Sequence, residues 1–309
     1  MRLLACLCLA VVLLSSISWS GDKHSDIGHL LKRAAKGDVE AEFLLGLAYE
    51  KGRGVAQDYI EAARWYQKAG DAGSAGAQAN LGNFYLQGKG VERDDTTALK
   101  WYLRAAVQGV AAAQTNVGVM YFKGSAGLRQ DDAEAARWFE KAAEQHDPPA
   151  EMNLALLYVE GRGVPQDAVK GAGLYLAAAK QGNMHAQFSI GWMCEHGFGV
   201  PLNASQALDW YLKAAEQGDA RALNNLGYMY EHGEGMTPDL ARATNFYRQA
   251  AKLGLPEAQE NADILAQNGE LAFDRTGEIS ERDGQPGKTS AASAPVAAHT
   301  TDARGPAIP

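Results

Sequence analysis

GSAGAQANLGNFYLQGKGVERDDTTALKWYLRAAVQ, residues 73–108, decides the fold, because the stretches on both sides repeat it in register. The preceding residues 37–72 read GDVEAEFLLGLAYEKGRGVAQDYIEAARWYQKAGDA, and the landmarks recur at 109–145, 146–181, 182–217 and 218–253. Every unit has 36 residues except the third, which has 37. A unit this short cannot bury its apolar residues alone, so six in a row predict an array whose members stack to make one core.

Two helices per unit follow from the periodicity. Ala41, Leu45 and Ala48 lie at i, i+4 and i+7, one apolar stripe of a first helix. The residue after the central leucine position is small throughout, being Gly46, Gly82, Gly118, Ala155, Gly191 and Gly227. Glycine there costs a helix about 1 kcal/mol, which implies that a neighbour approaches closely. Tyr49, Tyr85, Tyr121, Tyr158 and Tyr230 form a column expected to wedge rings between helices, with Cys194 interrupting it. Next come Gly52-Arg53-Gly54-Val55 and its echoes at Gly88, Gly161, Gly197 and Gly233, where positive-φ glycines stop the helix. No strand precedes this recurring GxG, so it reads as a turn and not as a phosphate cradle.

The second helix opens at Asp58, Asp94, Asp131, Asp167, Asn203 or Asp239, each a good N-cap, and Glu61 and Glu134 complete capping-box-like pairs. Ala62, Trp65, Tyr66 and Ala69 then run i, i+3, i+4, i+7, and Ala98, Trp101, Tyr102 and Ala105 match them. The expected fold is all-α, a right-handed superhelical solenoid of helix-turn-helix repeats over 37–253. Residues 21–36 supply an N-terminal capping helix marked by Ile27, Leu30, Leu31 and Ala34. A polar capping helix at 254–270 closes the other end, and 271–309, rich in Ala, Pro, Ser, Thr and Gly, reads as a disordered tail.

The N-terminus departs from the pattern. Met1-Arg2 precedes an apolar run from Leu3 to Leu14, and Ser18-Trp19-Ser20 places small residues ahead of Gly21. Residues 1–20 therefore read as a signal peptide cut after Ser20, giving an exported chain, periplasmic or secreted. The run is shorter than the ~20 residues a membrane span needs, so no membrane attachment is expected after cleavage. Cys6 and Cys8 leave with the peptide, and Cys194 alone can form no intramolecular disulfide. A net charge of −8 without a basic patch argues against nucleic acid as a partner.

The pattern carried by Ala77, Leu81-Gly82, Tyr85, Gly88, Gly90-Val91, Asp94, Ala98, Trp101-Tyr102 and Ala105-Ala106 resembles the Sel-1-like repeat, a relative of the tetratricopeptide repeat. The resemblance covers roughly residues 27–270. It implies a non-enzymatic scaffold or adaptor of the bacterial envelope that binds a protein or peptide partner in the concave groove lined by first helices. A cysteine-rich branch of the family has been named for β-lactam binding or β-lactamase activity, which is the alternative function; this sequence lacks those cysteines.

First-helix positions outside the core stripe are accordingly the candidate partner-binding residues. One column holds Leu44, Asn80, Asn116, Asn153, Ser189 and Asn225, whose amides offer donors and an acceptor to a peptide backbone or else bridge adjacent helices. A second runs Leu47, Asn83, Val119, Leu156, Trp192 and Tyr228, and a third Glu50, Leu86, Phe122, Val159, Glu195 and Glu231. Their apolar centre and acidic end suit a segment with hydrophobic anchors and a basic end. The residues singled out are Asn80, Asn83, Asn116, Phe122, Asn153, Leu156, Trp192, Asn225 and Tyr228. Cys194-Glu195-His196 and Glu231-His232 are the one cluster with zinc-ligand chemistry. Histidines ending helices favour the dipole, however, and no metal, cofactor or catalytic residue is expected. Neither G-x-S-x-G nor H-E-x-x-H occurs.

Overall fold

The computed structural model describes residues 27–277, and side chains as far as 267. The signal-peptide reading and most of the tail lie outside these residues. Among the described residues there are fourteen helices and no strand. The chain divides into two compact units, one ending at Gln181 and the other starting at Gly182, a boundary between the fourth and fifth repeats.

The first unit contains α1 (Ile27–Ala34), α2 (Val39–Lys51), α3 (Tyr59–Asp71), α4 (Ala75–Gln87), α5 (Asp95–Val107), α6 (Ala111–Lys123), α7 (Asp132–Ala143), α8 (Pro148–Glu160) and α9 (Ala168–Lys180). The second contains α10 (Met184–His196), α11 (Ala204–Glu216), α12 (Ala220–His232), α13 (Leu240–Lys252) and α14 (Pro256–Gly277). Every first helix starts two residues after the beginning of its repeat as read from sequence, and within each unit successive helices pack antiparallel, neighbour on neighbour. At the front, Leu30 and Ala34 of α1 bury against Ala41 and Leu45, whereas Leu31 stays 40% exposed. At the back, Ala258, Ala262 and Leu265 of α14 close on α12 and α13 while Gln259, Glu260, Asp263 and Gln267 face water. Helix α14 runs on to Gly277, past residue 270, where composition placed the end of the cap; Glu270, Leu271 and Ala272 are all good helix formers.

The turns are built as the sequence specifies. Gly52, Gly88, Gly161, Gly197 and Gly233 cap first helices in the left-handed region. The second glycine of the pair has a separate role. A Cβ on Gly90 would lie 2.1 Å from the Tyr59 carbonyl oxygen, and one on Gly163 2.2 Å from the Asp132 carbonyl carbon. Each loop therefore presses on the start of the preceding repeat's second helix. All six second-helix N-caps form, and their backbone N–H groups return to the carbonyls of Tyr49, Tyr85, Tyr121, Tyr158, Cys194 and Tyr230. That return bond occupies the N–H a capping box would use. Glu61 and Glu134 instead pair with Arg64 and Arg137, so the expected boxes are not made.

The deepest rings are not the column around Tyr49, which is only half-buried, but Tyr66, Tyr102, Phe139, Tyr175, Tyr211 and Tyr247 on the second helices. A Cβ on Gly46, Gly82, Gly118, Gly191 or Gly227 would sit 2.5–2.8 Å from the ring of its own repeat's second helix. In the fourth repeat Ala155 takes the glycine place, and Gly171 of α9 takes the place that Ala62, Ala98 and Ala135 hold elsewhere. A Cβ on Gly171 would meet Val159 at 2.6 Å, so the missing methyl has moved from one helix to its partner. Each such ring contributes about 1.5–3 kcal/mol by burial, provided the opposing backbone lies against it.

Sequence reading did not anticipate a buried polar clamp. Gln78 donates to the Gly70 carbonyl at 2.8 Å and accepts from Gln108 at 2.7 Å; Gln114 repeats both bonds with Ala106 and Gln145. Glu151 accepts from Gln181, Gln187 from Gln217, and Glu42 pairs with Lys68. These buried side chains tie together the two helices of the first five repeats, and Gln78 and Gln114 also bond a carbonyl near the end of the preceding repeat's second helix; the sixth repeat has Leu223 at that place.

Gly82→Ala tests the ring contact. Overpacking of about 1–3 kcal/mol outweighs the ~1 kcal/mol propensity gain, so the urea midpoint falls. Adding Ala98→Gly, which copies the fourth repeat, makes the double loss smaller than the sum of the single losses; strict additivity would contradict the account.

Candidate partner-binding site

The tyrosines that press on the glycines also reach the first-helix surface through their hydroxyls. Tyr211 donates to Glu195 at 2.6 Å, Tyr247 to Glu231 at 2.8 Å, and Tyr66 to Glu50. Burial, reinforced by the facing carboxylate, pushes all three phenols well above their ordinary pKa, so they remain donors at neutral pH. In the second repeat the equivalent of Glu50 is Leu86, which can accept nothing. Tyr102 turns instead to Asn83 Oδ1, at 2.6 Å. Phe139 has no hydroxyl, and its repeat carries Phe122 where the first, fifth and sixth repeats carry a carboxylate. The acidic members of the third column are thus acceptors required by buried tyrosines, where sequence reading offered them to a partner.

The asparagine column is divided by the same chemistry. Asn225 Nδ2 donates to the Tyr211 hydroxyl of the preceding repeat at 3.0 Å, so it bridges adjacent repeats, one of the two roles open to this column. Asn80 is half-buried at the matching place on α4. Asn116 and Asn153 are half-buried at the matching places on α6 and α8. Asn80, Asn116 and Asn153 belong to the first unit and Asn225 to the second.

Among the apolar candidates, Phe122 proves to be structural. It packs on the cluster around Ala135, Phe139 and Leu154, and the Arg162 guanidinium covers its ring 4.5 Å from the centroid. Asp132 holds that arginine with two bonds, of 2.9 and 3.1 Å. Leu156 is half-buried on α8. Trp192 and Tyr228, one repeat apart on α10 and α12, keep part of their rings at the surface, each stacked on an exposed histidine. Trp192 lies 4.3 Å from His196 and Tyr228 4.1 Å from His232. Phe198 meets Trp192 edge-on, and Glu195, Glu231 and Glu234 surround Tyr228 closely enough to raise its phenol pKa, second to burial.

The zinc-like cluster is drawn apart by these contacts. His196 and His232 each direct Nδ1 to the carbonyl four residues back, at 2.9 and 3.0 Å, and both carboxylates serve tyrosines. Cys194 is buried beside Gln206, and burial pushes its thiol pKa up. Among the described residues no three potential ligands come together.

In the first unit Asn80 and Asn83 share a cleft on α2 and α4 with Glu50, Lys51, Phe84, Gln87 and Lys89. Phe84, only 3% exposed, forms its floor, and Lys89 spans its rim, 4.0 Å from the Tyr59 ring centroid. Nothing in the apolar periodicity marked this cleft. The one available signal was Asn83, the only amide in a column otherwise apolar or aromatic.

Paired helices in repeats of about 36 residues define an all-α helical-repeat scaffold. The chain belongs to the Sel1 repeat family: the Sel1 repeat model matches residues 39–74, 75–110, 111–147, 148–183, 185–219 and 220–255. It is similar to a protective antigen present in uropathogenic Escherichia coli strains that displays an SLR fold, with 34% identity and a TM-score of 0.72 over 78% of this chain and 52% of that one. The chain thus spans about half the length of the antigen. A Sel1 repeat protein from Oxalobacter formigenes is 32% identical, with a TM-score of 0.65 over 72% of this chain and 89% of its own. No curated protein matches. Sel1 repeat proteins typically mediate protein–protein interaction.

Glu195 gives this surface a pH signature. Burial raises its carboxyl pKa by more than the Tyr211 hydroxyl and His196 lower it, and Glu234 adds to the rise. Between the unfolded value near ~4.3 and the higher folded one, the native state holds the extra proton, so stability falls as pH rises through that window. Glu195→Gln keeps an acceptor for Tyr211 without the charge. Thermal melts from about pH 4 to 8 are expected to show higher stability near neutrality and a flatter slope; curves parallel to wild type would refute the assignment.

Proposed function

We propose that this chain is exported to the bacterial envelope, where it acts as a non-enzymatic adaptor holding a protein partner on its first-helix surfaces. The observation that carries the reading is the pair Trp192 and Tyr228, half-exposed rings at the same position of successive first helices, bordered by Glu195, Glu231 and Glu234. Partly exposed aromatic rings in a polar rim are the usual anchors of protein interfaces. The negative surround favours a partner segment with basic residues beside its apolar ones. Export is supported by residues 1–20, whose charged start, apolar run and small residues before Gly21 have the form of a signal peptide. Among the described residues no helix is long and apolar enough to cross a membrane.

Capture from envelope extracts by the purified mature chain, compared with a Trp192→Ala/Tyr228→Ala variant, tests the interaction. The variant should lose a specific partner by about tenfold or more, with helical circular dichroism and melting temperature nearly unchanged. Equal capture by both proteins would refute the reading. Export is checked separately by the mass of the processed protein, which should begin at Gly21; an unprocessed, cytoplasmic form would overturn it.

A further inference from the structure

The buried clamp is completed differently in the fourth repeat. In the first, Lys68 pairs with the buried Glu42 at 2.9 Å and also donates to the Ala34 carbonyl that ends the preceding helix, at 3.4 Å. In the second and third, the residue in register with Glu42 is Gln78 or Gln114, and its own amide donates to the corresponding carbonyl, of Gly70 or Ala106. The fourth repeat has a carboxylate again, Glu151, with only 3% of its side chain exposed. The place of Lys68 is held there by Ala177, which has nothing to donate. Gln181 donates to Glu151 Oε2 at 2.9 Å, whereas Oε1 faces His146 Nδ1 at 3.7 Å, on a side chain 84% exposed. A buried carboxylate is costly unless a cation pairs with it, and its own repeat supplies no lysine or arginine at the place that serves Glu42. Burial accordingly pushes the Glu151 carboxyl pKa up, against the lowering by His146 and Gln181.

Helix α9 lacks a second long cation one turn earlier. Gly173 stands where α3, α5 and α7 carry Arg64, Lys100 and Arg137. Glycine inside a helix is destabilising, and no close packing requires it here, since a Cβ on Gly173 would meet nothing within 4 Å. The aromatic shelf has gone as well. Lys68, Arg104 and Lys141 lie over Trp65, Trp101 and Trp138, but the ring's place in α9 is taken by Leu174. With Leu174 and Leu176 half-buried and Val169 70% exposed, α9 presents an apolar surface of the kind along which the methylene stem of a long cation lies. We propose that this face of the fourth repeat receives a lysine or arginine of a protein partner, whose charged end pairs with Glu151 as Lys68 pairs with Glu42. The incoming cation displaces the exposed His146 imidazole, and apolar neighbours of the basic residue rest on Val169 and Leu176. The inference rests on the partner being a protein, as proposed above, but uses different residues from the Trp192 surface.

The probe is a synthetic peptide selected from a random library on the purified mature chain, together with versions in which each lysine or arginine in turn becomes norleucine. One such replacement should weaken binding to wild type by about tenfold or more. The same replacement should cost no more than about twofold in Glu151→Gln, which copies Gln78 and Gln114 and should keep the melting temperature. Ala177→Lys supplies the cation from within. It should raise the melting temperature in wild type but not in Glu151→Gln, and should weaken the peptide at least tenfold. If either effect proves independent of Glu151, or no peptide is selected, the basic-residue site is wrong. The adaptor reading then stands or falls separately, with the capture test on Trp192→Ala/Tyr228→Ala.

Discussion

The contact between a buried second-helix ring and a first-helix glycine sets the geometry from which the rest follows. With no side chain at Gly46, Gly82, Gly118, Gly191 or Gly227, a six-membered ring comes directly against the first helix and the two helices of a repeat close together. Protein interiors tolerate little slack, so a methyl group on one side must be removed from the other. The fourth repeat makes that exchange explicitly, with Ala155 on one helix and Gly171 on its partner.

Burying tyrosine in place of phenylalanine has a second consequence. In four repeats the hydroxyl emerges at the first-helix surface and finds an acceptor there. Glu50, Glu195 and Glu231 satisfy three of the phenols, and Asn83 a fourth where a leucine has replaced the carboxylate. Where the ring is Phe139, no acceptor is needed and Phe122 occupies the place under Arg162. Core and surface are therefore coupled through single hydrogen bonds, at Asn83 and Asn225 as well as at the three carboxylates.

The same coupling limits what the variable columns say. Periodicity separates core stripe from variable column, and the structure places Asn80, Asn83, Trp192 and Tyr228, all from those columns, half-buried on first helices. It does not report what a variable residue touches. Phe122 and Arg162 are 40 positions apart, and the cation that covers the ring is invisible to any local pattern. The clamp from Gln78 to Gln108 and the return of the Asp58 N–H to Tyr49 were equally hidden, since each joins residues on different turns of the path.

Sequence by itself determined the number of repeats, the second-helix caps and the glycine turns, because each depends on backbone preferences and on apolar spacing within a few residues. Family membership follows from the same repeated landmarks. Only tertiary structure decided which ring fills each glycine notch, which carboxylates are already committed to phenols, and which asparagines bond a buried tyrosine. Those outcomes depend on atoms brought together from helices some 14 to 40 residues apart, and a hydrogen bond forms only where such atoms meet at the right distance and angle.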